Sequence, residues 1–115
     1  MKESAIQSLI LLALSEAGCT VWRNETAGAW VGRVIHQSHG TVTIADARMI
    51  QAGLCVGGAD IIGIHHGSGR MIAIEVKSAT GRATPEQIRF IETVRACGGI
   101  AGVARSVEDA LQLIR

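Results

Sequence analysis

The stretch Met71-Ile-Ala-Ile-Glu-Val-Lys77 decides the fold, because it is a short apolar run that also carries an acid and a base. Side chains alternate between the two faces of a strand, so Glu75 and Lys77 share one face while Ile74 and Val76 share the other. A central strand is normally apolar on both faces. Burying an acid and a base there is costly unless the two groups are paired or hold a metal. The run therefore predicts a strand with a charged site on one face.

A second apolar run, Gly57 to Ile64, contains a single carboxylate, Asp60. If the two runs form neighbouring strands, Asp60 joins Glu75 and Lys77 in an acidic pocket with one ammonium beside it. Such a pocket is typical of a divalent-metal site in which a lysine handles protons or stabilises charge. Taken singly, the same residues fit simpler interpretations: Asp60 as a turn residue, and Glu75 with Lys77 as an ion pair on an exposed edge strand.

Length and composition narrow the class of protein. A chain of 115 residues suits one domain, which we assign to residues 1–115. Its hydrophobic content of 48% and mean hydropathy of +0.31 are high for a monomer and predict a homodimer. The net charge is only +1, so any contact with nucleic acid must come from locally clustered arginines.

Two features bear on cellular location. The cysteines are odd in number, far apart and without CxxC spacing: Cys19, Cys55 and Cys97. This usage predicts reduced core thiols in a cytoplasmic protein. The apolar segment Leu9–Leu14 is flanked by Glu3 and Glu16 and is too short to span a bilayer, so we predict an amphipathic helix and no membrane partner.

Hydrophobic periodicity and turn residues predict the secondary structure. Helices are expected over residues 3–17, 84–97 and 107–114, and strands over residues 19–23, 31–35, 41–45, 59–65, 70–77 and 100–104. Thr84, Pro85 and Gln87 form an N-terminal capping pattern for the second of these helices. Residues 24–32 predict a loop, and residues 46–54 predict a further short helix with Asp46 as its N-cap.

The ordered set of polar residues resembles a known nuclease family. Asp60 followed by Glu75-Val76-Lys77 resembles the PD-(D/E)XK signature, and the wider set resembles its VRR-NUC (virus-type replication-repair nuclease) branch. That set comprises Glu3, Arg23-Asn24, Gly58-Ala59-Asp60, Glu75-Val76-Lys77, Gly81 and Gln87. Ala59 stands where the superfamily has proline, a position that shapes a turn and carries no chemistry. The resemblance implies an α/β fold with a restriction-endonuclease-like core, in which an α-β-β-β-α-β order builds a mixed central sheet flanked by helices.

The resemblance also implies a role for each site residue. The implied ligands of Mg²⁺ or Mn²⁺ are Asp60, Glu75, Glu3 and the backbone carbonyl of Val76. Lys77 would orient or help deprotonate the attacking water, and Gln87 would position the lysine or that water.

Candidate DNA contacts are Arg23, Asn24, Arg33 and Arg82. Trp22 and Trp30 lie near two of these arginines in sequence and suit a stacking platform for DNA. A core or dimer contact suits the two tryptophans equally well.

The sequence thus predicts a Mg²⁺- or Mn²⁺-dependent endodeoxyribonuclease of DNA repair that acts as a homodimer. The expected substrate is branched DNA, with four-way (Holliday) junctions preferred, because the chain has no room for a separate sequence-recognition domain. The alternatives are a nuclease that processes flaps or nicks, a DNA-binding dimer with an inactive site, and a metal enzyme acting on a small phosphate ester.

Overall fold

A computed structural model describes all 115 residues, which form three helices, a mixed four-stranded sheet and a separate two-stranded ribbon. The elements in chain order are α1 (Glu3–Glu16), β1 (Cys19–Arg23), β2 (Ala27–Ser38), β3 (Thr41–Ala52), β4 (Ile61–His65), β5 (Met71–Val76), α2 (Pro85–Ala96), β6 (Ile100–Ala104) and α3 (Val107–Ile114). None of the three helices combines the length and the apolar character needed to cross a bilayer.

The sheet has the strand order β1-β4-β5-β6. Both the β1–β4 and β4–β5 pairs are antiparallel, and the β5–β6 pair is parallel. Parallel neighbours need a crossover connection, which α2 provides between β5 and β6. The predicted strand Met71–Val76 therefore lies in the interior of the sheet, hydrogen-bonded on both sides.

The two faces of β5 enter different hydrophobic layers. Ile72, Ile74 and Val76 are fully buried in the layer formed with α1 and α3. Ala73 points the other way and packs under α2 against Ile91 and the rest of a smaller cluster. Alternation along the strand then puts Glu75 on the α2 side. The charged face predicted from the sequence is thus the face that α2 covers.

Helix α2 begins with the predicted capping pattern. The Thr84 hydroxyl accepts a hydrogen bond from Gln87 N at 3.2 Å, and Gln87 Oε1 accepts one from Thr84 N at 2.8 Å. Pro85 occupies the first helical position, where a missing N–H costs nothing. The cap fixes the Gln87 side chain and leaves its amide NH₂ free to reach the sheet.

The ribbon contradicts two of the predictions. Strand β2 begins at Ala27, so the loop predicted over residues 24–32 is wrong beyond Thr26, and β3 continues to Ala52, so the helix predicted over residues 46–54 is wrong. Asp46 has φ 55°, a conformation that Asp tolerates, at a β-bulge opposite Gly32. Long-range pairing with Ala27–Val31 overrides a local preference for helix.

The ribbon stands apart from the sheet. Its strands pack mainly against each other, and the radius of gyration of 16.4 Å exceeds the roughly 13 Å typical of a compact chain of this size. The ribbon turns at His39-Gly40, between the strands predicted over residues 31–35 and 41–45, with Gly40 at φ 71°.

The cysteine predictions are confirmed in part. All three thiols are free, but only Cys19 is buried. Cys55 and Cys97 are exposed, so their assignment to the core is wrong.

Candidate active site

Two carboxylates meet where β4 begins and β5 ends. The antiparallel register pairs Ile61 with Ile74, which sets Asp60, one residue earlier, opposite Glu75. Asp60 Oδ2 accepts a hydrogen bond from the backbone N–H of Val76 at 2.9 Å. Residues 15 positions apart in sequence are thus brought together by strand pairing, as the two apolar runs predicted.

Glu75 is a buried acid with one unsatisfied oxygen. Its side chain is 2% exposed, and its Oε1 accepts a hydrogen bond from Gln87 Nε2 at 3.1 Å. No hydrogen-bond donor reaches Oε2. Burial, and then the hydrogen bond and negative charge of the Asp60 carboxyl, raise the pKa of Glu75 to about 8, although Lys77 opposes the shift. In the absence of a cation, Glu75 therefore keeps its proton at neutral pH.

Lys77 completes this group on the same face of the chain. Its Nζ lies 3.6 Å from Glu75 Oε1, and its side chain is only 13% exposed. The backbone N–H of Lys77 donates to Ala104 O at 3.1 Å, so the β5–β6 pairing continues to this residue. Burial of the side chain limits the lysine to a small region beside Glu75.

Glu3 lies next to this group without joining it. It stands in the first turn of α1, and its Oε1 accepts a hydrogen bond from Ser78 N at 3.3 Å. A Cβ atom on Gly81 would lie 3.2 Å from that oxygen, so the missing side chain leaves room for it. No three Asp, Glu, His or Cys side chains come close enough together to enclose a metal ion. The chain thus gathers Asp60 and Glu75, while Glu3 is tied to the loop after Lys77.

The four candidate DNA contacts have different surroundings. Arg23 donates to Gln7 Oε1 at 2.8 Å and to Ser8 Oγ at 2.6 Å, which ties β1 to α1. Arg33 pairs with Asp46 at 3.6 Å on the exposed ribbon. Arg82 is exposed and has no hydrogen-bond or ion-pair partner.

Asn24, the fourth candidate, organises the turn before Asp60. Its Nδ2 donates to Ala59 O at 3.0 Å, and its Oδ1 accepts from Leu54 N at 3.2 Å. Its backbone N–H also donates to Asp60 O at 2.7 Å. This side chain therefore links β1, the end of the ribbon and the first carboxylate of the site.

A polar cavity of about 370 Å³ opens beside Asp60. Asp60 and Gln87 line one side, and Thr26, Gly28 and Gln51, at the base of the ribbon, line another. Sequence reasoning missed the ribbon residues, because the strands that carry them were predicted as loop and helix.

Arg105 is a second residue that the sequence did not reveal. Its Nη1 donates to Gly81 O at 2.7 Å and also to Ser78 O, so it holds the loop that follows Lys77. The parallel pairing of Val76 with Ala104 brings Arg105 to this loop. No local pattern around an arginine at a strand end signals such a contact.

The donor set fits a hard divalent cation. An unsatisfied oxygen on a buried carboxylate, with a second carboxylate opposite, can be satisfied by a shared proton or by a cation. Mg²⁺ and Mn²⁺ prefer oxygen ligands of this kind and require few of them from the protein. Asp60 and Glu75 are the residues able to hold such an ion directly.

Comparison with known protein families identifies the family of this chain. A search of curated proteins returns no match. The family model of the VRR-NUC domain matches residues 2–108, which is nearly the whole chain. The matched range includes every residue of the candidate site described above. A divalent metal and a DNA substrate are implied for a nuclease family of this type. The chain therefore belongs to the VRR-NUC domain family, which implies a nuclease of the PD-(D/E)XK type.

Proposed function

We propose that the protein is a Mg²⁺- or Mn²⁺-dependent endodeoxyribonuclease that cuts branched DNA, preferentially four-way junctions, as a homodimer. The observation that carries the proposal is the opposed pair Asp60 and Glu75, with Lys77 held 3.6 Å from the buried acid. Burying an ammonium and two carboxyl groups near one another is costly unless the groups are paired or hold a metal. Flap or nick processing is the alternative within the same chemistry.

Four groups would hold the metal. Asp60 and Glu75 supply carboxylates, the backbone carbonyl of Val76 follows Glu75 directly in sequence, and Glu3 would contribute through water. A bound Mg²⁺ or Mn²⁺ would supply charge neutralisation at the phosphate and a more acidic water. The unsatisfied Oε2 of Glu75 supports this assignment, because a cation would satisfy it.

Lys77 and Gln87 would act on the attacking water. The Lys77 ammonium is held by burial of its side chain 3.6 Å from Glu75 Oε1, a position suited to orienting a water and to offsetting negative charge on the phosphate. Gln87 holds Glu75 Oε1 through its amide, so it fixes the acid on which Lys77 depends. Both residues thus have a positional role that geometry supports.

The topology favours a restriction-endonuclease-like core. When the ribbon is set aside, the order is α1, β1, β4, β5, α2, β6, which is the α-β-β-β-α-β order expected of a PD-(D/E)XK nuclease. The ribbon would then be an addition between the first and second strands of that core, next to the site.

We assign different parts in DNA binding to the four candidate residues. Arg82 and Arg33 are exposed and suit phosphate contacts. The side chains of Arg23 and Asn24 form internal hydrogen bonds, so their contribution would be to position the DNA-facing surface. A cytoplasmic location is proposed from the three free thiols.

An apolar sheet face supports the homodimer. Helix α2 covers β5 and β6, but on the same side of the sheet Trp22, Ile64 and Met71 remain 46%, 48% and 39% exposed. Cross-strand pairs bring them together, because Ile64 faces Met71 and Trp22 faces Ile62. Contiguous apolar surface of this kind is typical of a subunit interface. Measuring the mass by light scattering should give a dimer for the parent and a monomer for Ile64→Arg; a monomeric parent would count against paired cutting of junctions.

The proposed activity is tested by a cleavage panel. Four-way, flap, nicked and linear DNA are incubated with Mg²⁺, with Mn²⁺ and with a chelator, using Glu75→Ala as the control. We expect cutting of four-way DNA, little cutting of linear DNA, and none with chelator or with Glu75→Ala. Preference for flap or nicked DNA would support the alternative, and cleavage by Glu75→Ala would contradict the proposed site.

A further inference from the structure

The end of the ribbon that lines the cavity leads, along one face of the ribbon, to an exposed aromatic residue. Gly28 and Gln51 form a cross-strand pair and both line the cavity that Asp60 and Gln87 share. The next pair on the same face is Trp30 with Met49, because side chains two residues apart point the same way. Two residues of strand span about 7 Å, so the backbone of Trp30 lies about that distance from Gly28 in the cavity wall.

Trp30 and Met49 form a flat apolar pair in an exposed position. Trp30 is 61% exposed and Met49 is 53% exposed. The Met49 sulfur lies 3.0 Å from where a Cβ atom on Gly28 would be, so the thioether packs over Gly28. The cross-strand pairing brings Met49 beside Trp30, and a thioether beside an aromatic ring makes a favourable contact.

The charges on the ribbon suit a nucleic acid. Its charged residues are Arg33, Asp46 and Arg48, and Asp46 is paired with Arg33. Arg48, next to Met49 in sequence but on the opposite face of the ribbon, has no ion-pair or hydrogen-bond partner. No unpaired carboxylate on the ribbon repels a phosphate, and the cavity wall offers hydroxyl and amide groups of the kind that contact sugar and phosphate.

We infer that Trp30, supported by Met49, is a stacking platform for a base that is not stacked within a duplex, next to the phosphate at the Asp60–Glu75 site. The inference rests on the proposed nuclease function and gives it a source of selectivity. A duplex keeps its bases stacked on each other, whereas a branch point exposes a base that an indole can receive. Selection of branched DNA would thus lie on the ribbon, outside the residues that cut.

Tryptophan fluorescence and binding in Ca²⁺ test this inference. The chain has two tryptophans, so in a Trp22→Phe background the emission reports Trp30 alone. Four-way and flap DNA should quench that emission, and linear duplex of equal length should not. Trp30→Ala should bind flap DNA roughly tenfold more weakly, the lower part of the range for one lost stacked base, and should lose less affinity for linear duplex.

Two variants control for structure. Trp30→Phe keeps a ring and should retain most of the affinity for flap DNA. Val34→Ala removes an equally exposed apolar side chain farther along the same ribbon and should bind like the parent. Because both sites are exposed, circular dichroism of all three variants should match that of the parent.

The outcomes separate this inference from the nuclease proposal. Quenching and selective loss of binding without any cleavage would support the platform and overturn the nuclease. Normal cleavage of branched DNA, with no quenching and with unchanged selectivity in Trp30→Ala, would overturn the platform and leave the nuclease standing. If Trp30→Ala converts a dimer to a monomer while each site binds branched DNA as before, Trp30 is a protein contact and the platform is also overturned.

Discussion

The sheet and the ribbon differ most in how far their residues are buried. Within the sheet, residues Ile72–Val76 of β5 are all buried, including the acid Glu75. The ribbon, residues Ala27–Ala52, contains no buried residue at all. A two-stranded ribbon of this kind depends on its own hydrogen bonds and cross-strand pairs. The groups assigned to chemistry thus lie where packing holds them, whereas the groups assigned to recognition lie where a ligand can reach them.

The largest expected difference between the two regions is in the cost of losing a side chain. Ile74 is fully buried in the sheet, so Ile74→Ala should lower the free energy of unfolding by about 2–5 kcal/mol. Val34 is 56% exposed on the ribbon, so Val34→Ala should change it by less than about 0.5 kcal/mol. Urea denaturation of both variants measures the contrast. Equal losses would mean that the ribbon is covered in solution by something that makes it part of a core.

A smaller effect is expected at Asn24, where the two regions join. Asn24→Ala leaves the buried carbonyl of Ala59 and the N–H of Leu54 without their side-chain partner. The expected loss is about 1–3 kcal/mol of unfolding free energy, together with weaker binding of Mn²⁺ because Asp60 is less well held. Calorimetric titration with Mn²⁺ measures the second effect. Asn24→Asp, which keeps the acceptor for Leu54 but not the donor to Ala59, separates the two contacts; unchanged Mn²⁺ affinity in both variants would show that Asn24 does not position the acid.

The smallest expected effect, stated per pH unit, is a pH dependence of the unfolding free energy that arises from Glu75 in the sheet. The pKa of Glu75 is raised from 4.5 to about 8, so the folded chain keeps a proton that the unfolded chain has lost. Without metal, this contribution to stability is complete below about pH 4.5 and is lost as the pH rises towards about 8. One proton changes the unfolding free energy by at most about 1.4 kcal/mol per pH unit.

Urea midpoints with a chelator present, between pH 5 and 9, measure this slope. Glu75→Gln cannot ionise and should remove the Glu75 part of it, leaving the contribution of the other groups. If the pH profiles of the parent and of Glu75→Gln are parallel, the pKa of Glu75 is not raised in the folded protein.

Much of the sheet was predictable, because its signals are local. Apolar runs, Gly18 after the first helix and the Thr84–Gln87 capping box each act within a few residues. The proximity of Asp60 and Glu75 followed from one assumption, that the two apolar runs are neighbouring strands, and the register Ile61 with Ile74 confirms it. The family was also recognised correctly from these residues.

The ribbon was less predictable, because long-range pairing determines it. The segment Ala45–Ala52 is rich in residues that favour a helix, and only pairing with Ala27–Val31 makes it a strand. Likewise, nothing next to Arg23 in sequence indicates that its guanidinium binds α1, and nothing next to Arg105 indicates that it holds the loop after Lys77. Such contacts depend on where distant elements meet.

The central claim is that Lys77 and the two opposed carboxylates form one metal-dependent centre that cuts DNA. The most direct measurement is the cleavage rate of a four-way junction by Lys77→Ala in Mn²⁺, with binding of the same junction measured in Ca²⁺. We expect a loss of at least about 100-fold in cleavage rate with junction affinity close to that of the parent. Cleavage by Lys77→Ala at the rate of the parent would contradict it.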